Sequence, residues 1–290
     1  MTRTEASRLA IILLSWNSHE RTVKLIEVLI RLMPPSDRIF VVDNGSEKMF
    51  YFEDDVHLTV IRCEENLGFA GGNNVGIKRA LGEGYQYALM LNTDLVISYS
   101  EIEQLLKVCD ENPGAGLVGP VLQEGQTLSY GGRDIGLYLN TRLSKPSKDV
   151  SHFYIPGTVL LIRSRVFARI GWFDENYFFS GEVADFCARA FLAGEDLVID
   201  ENTLVHHDMQ GDSNLRDTLY VYYNFRNRFL FVRKFHRQHR VRLFLKWIKL
   251  GAMQYGGAVK QFEFKKARAV RLAILHGLLG QYGDQHGRFI

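Results

Sequence analysis

RIFVVDNGS, residues 38–46, holds the fold in miniature: an apolar, β-branched run stops at a polar cluster, Asp43 to Ser46. Three other runs do the same. AIILLSWN ends at Ser15 to Asn17, LTVIRCEEN at Arg62 to Asn66, and YALMLNTD at Asn92 to Asp94. Continuous runs of this length fit strands buried on both faces, as in a parallel sheet. Helical patterns separate them. Glu20 to Leu32 puts Val23, Ile26, Leu29 and Ile30 on one stripe and stops at Pro34-Pro35; shorter versions span Asn73 to Leu81 and Glu101 to Cys109. The order is βαβ, so an α/β fold with a mostly parallel central sheet and flanking helices is expected. Ligands of such sheets bind beyond the carboxyl ends of the strands, where all four polar clusters fall.

Beyond Gly119 the pattern changes to glycine-rich turns and a polar segment, Thr141 to Ser151, read as a mobile loop. A strand at TVLLIRS, a short helix to Ile170, a turn at GWFDENYFF and a helix from about Gly181 to Ala193 come next. Two short strands are expected around LVID and TLVHH. From Tyr220 onward, FRNRFLFVRKF and VRLFLKWIKL interleave basic and apolar positions in helical fashion. The chain therefore divides into residues 1–217 and a basic, aromatic helical extension, 218–290.

With 290 residues, 46% of them hydrophobic, the chain can bury a large core without covalent staples. Cys63, Cys109 and Cys187 form no CxxC pair, which argues against a disulfide framework or a zinc site and fits a reducing cytoplasm. No apolar stretch reaches the roughly 18 residues of a membrane span, so a soluble or peripheral protein is expected. Glu263 is the single acidic residue between Arg226 and Arg271, so the extension seeks an anionic partner.

NLGFAGGNN, residues 66–74, comes after the third strand and runs into a helical pattern. It reads either as a tight strand-to-helix turn or as a site where backbone N–H groups and asparagine amides hold a phosphate or sugar hydroxyl. The GxGxxG and GxxxxGK[ST] patterns are absent, which disfavours dinucleotide and P-loop enzymes. Asp43 reads as an Asx turn or as an acceptor for a base N–H beside Ser15 and Asn17. Asp94 either caps the next helix or turn, or reaches a divalent cation held mainly by diphosphate and water. Glu182 and Asp185, three apart on one helical turn, either favour a helix N-terminus or supply a general base. His206 and His207 are strand neighbours, so at most one faces Asp94.

Taken in order, SWN (15–17), VVDNGS (41–46), NLGFAGGNNVGI (66–77), LNTD (91–94), GTVLLIRSRVFARIGWFDENYFF (157–179) and RNR (226–228) resemble glycosyltransferase family 2, especially its rhamnosyltransferase-like bacterial members. The resemblance implies a GT-A nucleotide-diphospho-sugar transferase fold. It also implies inverting transfer from a UDP- or dTDP-sugar to a hydroxyl acceptor, in bacterial cell-surface polysaccharide or glycolipid synthesis. Ser15, Asn17, Asp43, Asn66, Gly68, Gly71, Asn73, Asn74, Asn92 and Asp94 would then hold the nucleotide sugar. Asp94 and His207 would hold Mg²⁺ or Mn²⁺. The acceptor would be a glycan or a lipid-linked glycan, with no nucleic acid involved; the basic, aromatic extension itself reads either as helices peripheral on the inner face of an anionic membrane or as an apolar stripe packed on the catalytic domain with a solvated basic face. One position departs from the family: Val183 stands where the second member of an acidic pair acts as base. Glu182 and Asp185 remain as candidates, Glu182 slightly preferred. The departure keeps open a second reading, a catalytically impaired nucleotide-sugar or glycan-binding protein.

Overall fold

The apolar runs become strands of one nine-stranded sheet in the order β3-β2-β1-β4-β8-β6-β9-β5, with β7 paired to β6. The computed structural model describes residues 8–53, 55–132, 154–207, 216–285 and 287; the expected Thr141 to Ser151 loop lies outside them. The chain runs β1 (Leu9–Ser15), α1 (His19–Ile30), β2 (Arg38–Asn44), β3 (Leu58–Cys63), α2 (Gly68–Gly82), β4 (Tyr87–Leu91), β5 (Leu95–Val96) and α3 (Tyr99–Glu111). Then come β6 (Ala115–Glu124), β7 (Thr127–Ser129), β8 (Val159–Arg163), α4 (Ser164–Ile170), α5 (Glu182–Leu192) and β9 (Asp196–His207). The extension contributes α6 (Val221–Phe235), α7 (Arg240–Lys260) and α8 (Phe264–Leu279).

β1 to β4 pair in parallel, and β8 joins β4 antiparallel. Alternation along β1 explains why its run is apolar throughout. Leu9, Ile11 and Leu13 pack with Leu25, Ile26 and Leu29 of α1 and with Ile102 and Leu105 of α3. Ala10 and Ile12 face the other layer, with Ala70 and Ile77 of α2 and Phe186 of α5. β3 departs from expectation: as an edge strand it leaves most of its side chains partly exposed. The two short strands expected near LVID and TLVHH are one strand, β9, which runs parallel to β6 through a register shift after Asp200.

α2 begins five residues earlier than its apolar pattern, so most of NLGFAGGNN is helix. Gly72 and Gly76 serve packing. A Cβ at Gly76 would lie 2.8 Å from Val42 Cγ2 and 2.9 Å from Ile12 Cγ2, so only glycine lets α2 lie this close on the sheet.

Candidate active site

The loops after β1 and β2 meet because Ser15 and Asp43 are register partners at the same sheet edge. Ser15 is buried, with its Oγ accepting from Thr22 Oγ1 at 3.0 Å. Asn17 takes a left-handed conformation, φ +52°, which lets its N–H donate to Ser46 Oγ at 2.9 Å while its Oδ1 accepts from Glu47 N at 3.0 Å. Together these bonds fix the mouth of a cavity of about 860 Å³, a size suited to a small-molecule ligand. Ser15, Asn17, Asn66 and Gly68 line it, as do Trp16, His19 and Lys48.

A further part of the lining has no counterpart among the sequence expectations. It is aromatic and comes from distant segments: Phe178 and Phe179 before α5, then Leu219, Tyr220 and Tyr223 of the extension. Asn44, which the sequence patterns did not single out, is the bracket between β2 and α2. Its Oδ1 accepts from Leu67 N at 3.0 Å and its Nδ2 donates to Asn66 Oδ1 at 2.9 Å. Its place beside Asp43 in VVDNGS was the available signal.

Several of the expected ligand residues make bonds within the protein. Asp43 is fully buried and accepts from Ser46 N at 3.1 Å, Phe50 N at 2.8 Å and Arg62 Nη1 at 2.5 Å. Burial works to raise its carboxyl, but these bonds outweigh it and hold the group below its ordinary range. The bonds build the loop after β2, and Asp43 lies beneath the cavity lining rather than in it. Asn74 is likewise bonded within the protein: Nδ2 donates to Phe173 O and Glu175 Oε1, both at 2.9 Å, and Oδ1 accepts from Phe173 N at 3.0 Å. Asn73 donates to Phe69 O at 2.8 Å. Gly71 packs on Leu67 rather than on the cavity. The first N–H groups of α2 are also taken, Gly68 N by Asn66 Oδ1 and Phe69 N by Phe178 O at 2.7 Å.

Asn92 comes directly after β4 and donates its backbone N–H to Thr158 O at 3.0 Å, without lining the cavity. Two residues on, Asp94 is not the helix cap: Ser98 caps α3, in a capping box with Glu101. Instead Asp94 Oδ1 lies 3.2 Å from His207 Nε2, brought there by the antiparallel pairing of Leu95 with His207. His206, its neighbour on the strand, is exposed. On the other side of the ring, His207 Nδ1 lies 3.2 Å from Glu124 Oε1, a partner the sequence did not reveal. Asp94 first, then Glu124, raise the imidazole to about 9 against the opposing effect of burial.

The pair fits a divalent cation. Two neighbouring ligands on an octahedral ion, each at about 2.1 Å, lie about 3 Å apart, close to the separation of Asp94 Oδ1 and His207 Nε2. A carboxylate on the far nitrogen, as Glu124 provides, is the usual support of a metal-facing histidine. Among the described residues no group of three or more His, Cys, Asp or Glu side chains is arranged around an ion, so these ligands would leave most of its shell to diphosphate and water.

The two acidic candidates of α5 have different surroundings. Asp185 is fully buried, its Oδ2 accepting from Arg189 Nε at 2.6 Å and its Oδ1 in close contact with Lys234 Nζ. The carboxylate is thus closed to solvent between two cations. Glu182 is 5% exposed, and its Oε2 accepts no hydrogen bond from the described residues. Burial first, and then the charge of Asp185, push its carboxyl up to about 7. Val183 is buried beside Gly157, where an added Cβ would sit 2.5 Å from Val183 Cγ2.

A half-parallel, curled α/β sheet with a ligand cavity at its carboxyl edge and extra helices at its C-terminus is the GT-A fold of nucleotide-sugar transferases. Residues 10–171 match the model of glycosyl transferase family 2, and the chain belongs to that family. It is 28% identical over 246 residues to the low-salt glycan biosynthesis hexosyltransferase Agl10 of Haloferax volcanii, covering 79% of this chain and 76% of that protein. Two solved structures share the fold. GalNAc-T7 with UDP, GalNAc and Mn2+ superposes with a TM-score of 0.66 at 14% identity, over 96% of this chain and 58% of that one. The mannosyltransferase PcManGT from Pyrobaculum calidifontis, in complex with GDP-Man and Mn2+, gives 0.57 at 12% identity, over 96% and 89%. The chain is a glycosyltransferase.

Proposed function

We propose that the protein transfers a sugar, with inversion, from a UDP- or dTDP-sugar to a hydroxyl of a glycan or lipid-linked acceptor, in cell-surface polysaccharide or glycolipid synthesis. The observation that carries this reading is the Asp94–His207 pair, supported by Glu124, on the sheet whose carboxyl edge opens into the cavity. Mg²⁺ or Mn²⁺ held by Asp94 and His207 would neutralise the departing diphosphate. Ser15, Asn17, Asn66 and Gly68 hold the nucleotide end of the donor. Glu182 takes the acceptor proton as the acceptor oxygen bonds to the anomeric carbon and the bond from that carbon to diphosphate breaks. Residues 1–217 form the catalytic unit. Residues 218–290 wall the cavity and seat the chain on the cytoplasmic face of an anionic membrane.

Val183 favours one rival, a binder of nucleotide sugars or glycans without turnover. Calorimetry with a panel of UDP-, dTDP- and GDP-sugars, with and without Mn²⁺, together with donor hydrolysis, separates the two. Metal-dependent binding of one donor, lost in Asp94→Ala and accompanied by slow hydrolysis, is the expected result. Binding without turnover, even with acceptor glycans supplied, would favour the rival, and no binding would overturn both.

A further inference from the structure

The outer face of α7 is apolar where solvent should meet it. Leu243, Trp247, Gly251 and Ala258 are its buried side. Val241, Leu245, Ala252, Tyr255 and Val259 recur at helical spacing on the other side and are all exposed, Val241 by 71% and Leu245 by 63%. Exposed Arg242, Lys249 and Lys260, with half-buried Lys246, form a basic row along one flank of this stripe. At 21 residues the helix is about 30 Å long. The stripe continues into the turn before α8, where Phe262 is 79% and Phe264 63% exposed, ring centroids 6.2 Å apart. Phe262 stands out in a left-handed conformation, φ +61°, which bulky residues seldom adopt. The carboxylate between the two rings in sequence, Glu263, is paired with Lys266 at 2.9 Å.

An apolar stripe with a basic flank and an aromatic end matches the boundary of an anionic bilayer, with apolar groups at the acyl edge and Lys and Arg at the headgroup phosphates. Among the described residues no helix is long and apolar enough to cross a membrane. A second copy of the chain fits less well, because two such faces would bring like charges together. We infer that α7 lies flat on an anionic lipid surface with Phe262 and Phe264 inserted at one end, resting on the membrane reading of the extension and naming the face that makes it.

The test is flotation of the full chain with vesicles of phosphatidylcholine alone or mixed equally with phosphatidylglycerol. Wild type should float with the anionic vesicles only. The double variant Leu245→Asp, Phe262→Asp should lose about tenfold or more of that binding, and Lys249→Glu, Lys260→Glu a similar amount in low salt. Leu32→Asp, an exposed apolar site on α1's C-terminal side, should bind as wild type. Unchanged melting temperatures establish that the variants fold, and a blue shift of Phe262→Trp fluorescence on adding anionic vesicles reads insertion directly. Full binding by the Leu245→Asp, Phe262→Asp variant would overturn this face while leaving membrane association through another. Absence of binding by wild type would overturn both, and a dimer dissolved by Leu245→Asp would reassign the stripe to contact between copies.

Discussion

Glu182 combines burial, an unsatisfied oxygen and a carboxyl raised to about 7 from an ordinary 4.5. The folded state favours its protonated form. The stability this contributes is complete below about pH 4.5 and is lost as pH rises through 7, amounting to about 3 kcal/mol by pH 8. Glu182→Gln removes the titration, so its urea midpoint should exceed that of wild type at pH 8 and match it at pH 4. If Glu182 is the base, wild-type transfer should climb with pH to a plateau above about 7, and the variant should lose about 10²- to 10⁴-fold of it. The residue types at this site were legible in the sequence, but their partners were not. Asp43, Asn74 and Asp185 have the same chemistry as a ligand-holding residue, and only the fold reveals their partners Arg62, Phe173 and Arg189. Strand alternation made legible that at most one of His206 and His207 faces Asp94, and the pairing of β5 with β9 makes it His207.

At the scale of elements, α2 shows why glycine in this family's signature cannot be read as ligand-binding by composition alone. Gly68 has φ +73°, and a Cβ there would lie 2.3 Å from Phe178 O, a backbone atom that cannot swing aside. Gly82, at the end of the same helix, has open space around it. Gly68→Ala should therefore destabilise by about 2 kcal/mol or more, while Gly82→Ala should stabilise by about 0.5–1 kcal/mol. Thermal unfolding of the two variants side by side checks both signs. β1, β2, β4 and β8 were legible as apolar runs because burial on two faces leaves a continuous signature, whereas β6 (Ala115–Glu124), interrupted by Gly116, Gly119 and Pro120, was missed. The edge exposure of β3 left no signature, since an edge is a property of neighbours rather than of the strand.

At the scale of the molecule, the C-terminal helices are bound to the segment that leads into α5. Asn227 Nδ2 donates to the carbonyls of Tyr177 at 3.0 Å and Phe179 at 2.9 Å, while Arg226, fully buried, donates to Asn176 O at 3.0 Å and Tyr177 O at 2.9 Å. They grip a bend in which Phe178, Ser180 and Gly181 all have positive φ. That bend lines the cavity, meets α2 through Phe178 O and launches α5 at Glu182. The composition change near residue 217 is thus no seam in the packing. Calorimetry should give a single unfolding transition for the full chain, and Asn227→Ala should lower it as a whole, by about 1–3 kcal/mol for the carbonyls left without a donor.

The meeting of Asp94 with His207 has a consequence for how the chain is made. Asp94 borders β5, an edge strand of two residues whose partner β9 is, among the described residues, the last strand in chain order. The pair cannot exist on a nascent chain until His207 has left the ribosome and the long-range pairing has closed, which is among the slower kinds of step in folding. On the proposed role of the pair, activity is a readout of a finished sheet, and a stalled or truncated chain that ends before β9 is expected to be inert toward its donor.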